Sequence, residues 1–174
     1  MALIVEDGTG LAGAESFISV ANASAYHTAR GNAAWAALAS DTIREQCLRK
    51  ATDYMEQAFR LRWAGYRTTV TQALSWPRGD VPIPDSPGLL AGYPGYLDDD
   101  VVPDAVENAC AELALKASSA TLFDDQSRAV LREKIGPLET EYDPYSAQDV
   151  RYKAVEGMLR PYFTGGNGIT LVRV

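Results

Sequence analysis

Apolar positions along the chain change their spacing several times, and each spacing predicts an element. Between residues 42 and 60, Ile43, Cys47, Leu48, Ala51, Tyr54, Met55, Ala58 and Phe59 advance by threes and fours. That is one face of a helix, broad enough to cover a core. Thr42 and Glu45 stand at capping-box spacing at its start. A second stripe runs through Val106, Ala109, Cys110, Leu113, Ala114, Ala117 and Thr121. Pro103 fits its first helical position, and Asp104 and Glu107 sit where the helix dipole favours anions. A shorter helix is expected over residues 20–30, capped by Ser19 and closed by Gly31. Helical turns are expected around Trp35 and Leu38, and a last helix over 148–160, with Val150, Ala154, Val155, Met158 and Leu159 facing inward.

Elsewhere the period is two, or absent. Residues 1–18 read as an extended arm with turn chemistry at Asp7-Gly8-Thr9-Gly10. In residues 129–142, Gly136-Pro137 separates two short runs, and Leu138 to Tyr142 alternates, which predicts a β-hairpin. Residues 61–102, which include Pro77, Pro82, Pro84, Pro87 and Pro94, read as one long irregular loop. Loops of that length usually serve a partner or a lid. The glycine-rich stretch 165–168 hinges a final strand, Ile169 to Val174. The expected fold is mainly α: one domain over residues 1–174, a small helical bundle with one short β-hairpin, a long irregular loop and an extended C-terminal tail.

A chain of 174 residues can bury a core without staples. No apolar run approaches the ~18 residues of a membrane span, and the opening Met1-Ala-Leu-Ile-Val5 is too short for a signal peptide. With 16 basic and 23 acidic residues the net charge is −7, so polyanions are poor partners for the chain as a whole. Cys47 and Cys110 both fall at apolar helical positions, where buried, reduced thiols are expected. One histidine and two cysteines do not make a zinc site of ordinary spacing, and no cofactor is expected.

Candidate chemistry is sparse. Residues 8–13, GTGLAG, match the dinucleotide fingerprint by letter, but no helix opens on the last glycine and no acid follows at the required distance. A surface turn is the better reading. His27 would have to serve any Ser–His–Asp arrangement, yet nothing around it in sequence activates it. Asp98 to Asp100 lack the ordered ligand spacing of a calcium loop. The segment Arg60-Leu-Arg62-Trp63-Ala-Gly-Tyr66-Arg67 interleaves cations with aromatic rings. Proteins that hold single strands stack bases on such rings and track phosphates with such cations. The alternative packs Trp63 and Tyr66 under the loop and leaves the arginines in water or paired with acids.

Four blocks, in this order, carry a resemblance: MALIVEDGTGLAGAESFISVANASAYHTARGN, RTTVTQALSWPRGDV, VVPDAVENACAELAL and REKIGPLETEYDP. They resemble the head–tail connector (adaptor) proteins of long-tailed phages, a family overlapping the phage family labelled DnaT-like single-stranded DNA-binding protein. The connector resemblance implies a structural virion protein without enzyme activity, assembled in the host cytoplasm. It implies a ring of twelve subunits beneath the portal, with portal and tail-side connector or tail terminator proteins as partners, and genome DNA passing through the lumen unbound. On that reading Trp76, Arg78, Tyr93, Tyr96, Ile169, Leu171, Val172 and Val174 are interface candidates. Trp76 is expected to fill a pocket of its own helices or of the neighbour, with Arg78 crossing the seam. The alternative function is a single-stranded DNA-binding accessory protein, with Arg60, Arg62, Trp63, Tyr66 and Arg67 as its contacts.

Overall fold

A computed structural model describes residues 2–83, 86, 95–123 and 151–164, together with the backbone of 132–135 and 138–141. The mainly helical fold is as expected. Helix α1 spans Val20–Ala29, α2 Ala33–Ala36, α3 Asp41–Phe59, α4 Asp104–Ala117 and α5 Lys153–Leu159, the last running into a 3-10 turn at Arg160–Tyr162. Strands β1 (Tyr66–Arg67) and β2 (Arg78–Gly79) form a two-residue antiparallel pair. Strands β3 (Arg132–Ile135) and β4 (Leu138–Glu141) form the expected hairpin, with Arg132 opposite Glu141 and Ile135 opposite Leu138.

Helix α4 lies at the centre, packed on α1, α3 and α5. Its inward face explains why. Val106, Ala109, Cys110, Ala111, Leu113 and Ala114 are all completely buried, and the small side chains let α3 approach closely. From α3, Leu48, Ala51 and Met55 are equally enclosed. Burying a leucine or methionine at such a seam stabilises the fold by about 2–3 kcal/mol. Cys47 and Cys110 are free, buried thiols. Burial pushes the Cys110 thiol up to about 11, despite a contact with the Thr52 hydroxyl.

The helix boundaries shift for identifiable reasons. Ser40, rather than Thr42, caps α3 by accepting from the Ile43 amide at 3.3 Å. Pro103 takes the N-cap position of α4 and not its first turn. The final helix begins at Lys153, five residues later than its apolar pattern suggests, and Ala154 faces solvent. No helix among the described residues is long and apolar enough to cross a membrane.

Residues 61–83 are irregular apart from β1 and β2, as the sequence presents them, but part of the segment is buried. Leu74, Ser75, Trp76, Pro77, Arg78, Gly79 and Val81 are buried, so this segment is a layer of the core. Gln72 staples it from inside: its amide donates to the carbonyls of Leu74 at 2.9 Å and Pro77 at 3.0 Å. Glu56 of α3 accepts from the Ser75 amide at 2.7 Å and the Ser75 hydroxyl at 2.8 Å. Burial holds that carboxyl above the usual carboxylate range, against the pull of both Ser75 bonds. At Gly65 the backbone has φ +66° and a β-carbon would meet the Gly79 carbonyl oxygen, so only glycine lets the two strands close.

Candidate nucleic-acid interface

Helix α3 ends at Phe59, and the chain turns at once, the Arg62 amide donating to the Phe59 carbonyl at 2.8 Å. Residues 62–64 are then stitched antiparallel to residues 162–164. Trp63 bridges Phe163, the Ala64 amide donates to Tyr162 at 2.8 Å, and the Thr164 amide donates to Arg62 at 2.7 Å. This stitch sets the end of α3 beside α5. An open cleft of about 640 Å³ lies there, lined by Leu61, Arg62, Lys153, Glu156, Arg160 and Phe163, among others.

The cleft carries three cations, Arg62, Lys153 and Arg160, against one carboxylate, Glu156. Its lining is therefore positive by two, on a chain whose net charge is −7. Arg62 lies over the Phe163 ring, 4.2 Å from its centroid, and pairs with Glu156 at 3.5 Å. Ring and carboxylate together hold the guanidinium in place. Lys153 and Arg160 are exposed and have no carboxylate partner among the described residues. Leu61 is 97% exposed, an apolar side chain held out in water beside three cations. Such a concavity suits a ligand with repeated negative charges and flat apolar faces.

Of the five residues nominated from the Arg60–Arg67 segment, only Arg62 lines the cleft. Arg60 is exposed, and Arg67 is half-buried, donating to the Gln72 carbonyl at 3.1 Å. Tyr66 is 60% exposed, but its ring lies close over Gly79. Trp63 is not available for stacking. It is 4% exposed and packed against Phe59, Phe163 and Trp76 at centroid distances of 6.2, 5.0 and 5.6 Å.

The expected seam anchors also turn inward. Trp76 has no exposed surface and is packed edge-on by Trp63 and Tyr162. The pocket that it fills belongs to its own chain. Arg78 is 7% exposed and gives its guanidinium to the carbonyls of Ala64 (2.7 Å), Gly65 (2.7 Å) and Ser75 (3.1 Å). These three donors serve its own backbone. Tyr96 is 54% exposed and bridges Pro82. Tyr93, Ile169, Leu171, Val172 and Val174 lie outside the described residues.

The other suggestive groups are consumed within the fold. The GTGLAG segment is a turn, as expected, with Thr9, Ala12 and Gly13 exposed; Gly8 and Gly10 are buried, and its amides enclose a carboxylate. That carboxylate is the chain's own Glu6, which accepts from Gly8, Gly10 and Leu11 at 3.0, 2.8 and 2.9 Å. His27 is 1% exposed, with Nε2 on the Ala111 carbonyl at 3.1 Å and Nδ1 on the Asn32 amide at 3.0 Å. Asn32 can only donate there through its nitrogen, so Nδ1 accepts and Nε2 carries the proton.

Lys153, Arg160 and Phe163 were not foreseen from the sequence. They follow Arg62 by some ninety to a hundred residues, and only the 62–64/162–164 stitch brings them to it.

Fold and site together define a small helical domain with a locally basic cleft on an acidic body. The chain matches, over residues 1–174, the family described as "Putative DnaT-like ssDNA binding protein", and it belongs to that family. This full-length match corrects the connector reading drawn from the sequence, and with it the structural virion role. The ring, portal and tail-side partners rested on that reading alone. No curated protein and no solved structure matches the chain.

Proposed function

We propose that this protein is a single-stranded DNA-binding accessory protein that takes the sugar–phosphate backbone into the cleft between the end of α3 and α5. The observation that carries this reading is the convergence of Arg62, Lys153 and Arg160 on one concavity opposed by a single carboxylate. Membership of the DnaT-like family supports it. The strand meets local charge more than net charge, because at physiological salt a charge acts over about 8 Å. The acidic remainder of the surface limits binding to the cleft and disfavours long duplexes, whose charge density is higher. The protein acts by holding the strand; it performs no chemistry on it. His27, the single imidazole, has both ring nitrogens engaged inside the fold.

Anisotropy of a labelled oligo(dT) between 50 and 200 mM salt tests this. Each phosphate neutralised on a single strand contributes about −0.7 to the slope of log K against log salt. The three cleft cations therefore contribute about −2, roughly a twentyfold loss of affinity over that range. Arg160→Ala and Lys153→Ala should each flatten the slope by about 0.7. Failure to bind at 50 mM salt, or binding indifferent to both substitutions, overturns the reading.

A further inference from the structure

We infer that the strand does not stop at the cleft but continues from it along a track ending at Phe123, which stacks a base. The inference rests on the single-strand reading above and extends it to a defined path with separate phosphate and base positions.

Lys153 lines two concavities at once. One is the cleft; the other, of about 250 Å³, also carries Lys116, Arg151 and Tyr152. Lys116 and Arg151 are exposed, and no carboxylate among the described residues pairs with either. Glu112, the single acid in this second hollow, already accepts from the Tyr26 hydroxyl at 2.9 Å. The Tyr152 ring meets Tyr54 edge-on at 5.4 Å, and Tyr54 lines a third hollow, of about 450 Å³, with Lys50 and Phe123. The three hollows thus form a connected series through Lys153 and the Tyr152–Tyr54 contact. Their linings hold six cations (Arg62, Arg160, Lys153, Lys116, Arg151 and Lys50) against three carboxylates (Glu156, Glu112 and Asp53).

Phe123 supplies what the cleft lacks. Its ring lies on Tyr54 at 4.6 Å with a 37° tilt, yet the residue is 52% exposed. Tyr54, itself met edge-on by Tyr152, supports the ring, and half of the residue's surface stays in solvent. A phenyl ring supported this way is a platform for a nucleobase, which needs a flat apolar surface but no particular hydrogen-bond partner. Binding should therefore tolerate any sequence. The length of the track follows from α3, which contributes Lys50 to the third hollow and leads to Arg62 in the first. The nine residues from Lys50 to the helix end at Phe59 span about 13–14 Å at helical rise. At a rise of about 3.4 Å per nucleotide in a stacked strand, that accommodates about four nucleotides.

The test uses the full chain with oligo(dT) of two to twelve nucleotides. Affinity should climb to about four or five nucleotides and then level off. Lys116→Ala with Arg151→Ala should flatten the salt slope by about 1.4. Phe123→Leu keeps an apolar side chain at a half-exposed position and loses only the ring. It should weaken binding roughly 5- to 150-fold with the slope unchanged. As a readout on the unaltered protein, photo-crosslinking with 5-iodouracil oligonucleotides should attach to Phe123 or Tyr152. If these variants bind like the unaltered protein while Arg160→Ala weakens binding, the track is wrong and the cleft stands. Crosslinks that fall only around Arg62 and Arg160 would likewise overturn the track and leave the cleft in place. If no oligonucleotide binds, both readings fall.

Discussion

Replacing Arg78 with alanine removes a cation that sits at the junction of two parts of the core. Its guanidinium joins the carbonyls of Ala64 and Gly65, after the α3 end, to that of Ser75, before the cis Trp76–Pro77 peptide. Two opposing effects set the size of the loss. Hydrogen bonds to a charged group contribute about 1.5–3 kcal/mol each, so three represent roughly 5–9 kcal/mol. Against this stands the cost of holding a cation away from water, visible in the way burial, reinforced by nearby Arg67, lowers the Arg78 pKa. Gly65 is exposed and its carbonyl can recover water, whereas Ser75 is buried and its carbonyl cannot. The net loss should be about 3–4 kcal/mol, in line with removing one partner from a buried charged network. With a urea m-value of about 2 kcal/mol/M, the unfolding midpoint should fall by about 1.5–2 M. Arg78→Lys should recover only part of this, because an ammonium is a point donor and cannot span three carbonyls at different angles. Sedimentation should show the same association state before and after substitution. A midpoint shift below ~0.3 M for Arg78→Ala would refute the argument, since it would mean that the three carbonyls find equal partners without the guanidinium.

Two further outcomes are expected. Burial holds the His27 pKa below its ordinary value. The unfolded chain therefore takes up a proton near pH 6.5 that the folded chain refuses. His27 contributes stability that is present above about pH 6.5 and lost as pH falls from there toward its folded pKa. Because it is the one histidine in the sequence, a single imidazole resonance followed by NMR should show no midpoint at or above 6.5. Glu156→Gln removes the one carboxylate lining the cleft and releases Arg62. Since that pair is partly exposed, urea unfolding should move by less than ~0.5 kcal/mol. Oligo(dT) affinity should rise up to about fivefold with a steeper salt slope, and unchanged affinity would place the strand elsewhere.

The two long helices were legible because their stripes are local: every apolar position of α3 and α4 can be read against neighbours three or four residues away. Boundaries were less so, because Ser40 and Thr42 both offer a cap and only the backbone decides between them. Trp76 shows the limit of local reading. A tryptophan between serine and proline looks equally fit for a seam or a core, and of its ring partners Tyr162 comes from a distant part of the chain. The Arg60–Arg67 segment misled in the same way, since its alternation of cations and rings suggested one surface. The fold turns Trp63 inward and leaves Arg62 as the one cation of this segment that lines the cleft. Net charge concealed the site altogether. A sum over 174 residues cannot register three cations that meet only after folding.

The stitch between residues 62–64 and 162–164 gives the protein a schedule as well as a shape. One rim of the basic cleft is translated about a hundred residues before the other, which at ribosomal speeds is a delay of roughly 5 to 20 seconds. During that interval Phe59, Trp63 and Trp76 wait without the Tyr162 and Phe163 rings that will cover them. The nascent chain is then at its most adhesive, and the basic cleft is incomplete. Completion of the cleft and protection of the aromatic core arrive in the same event, when α5 and the turn after it dock.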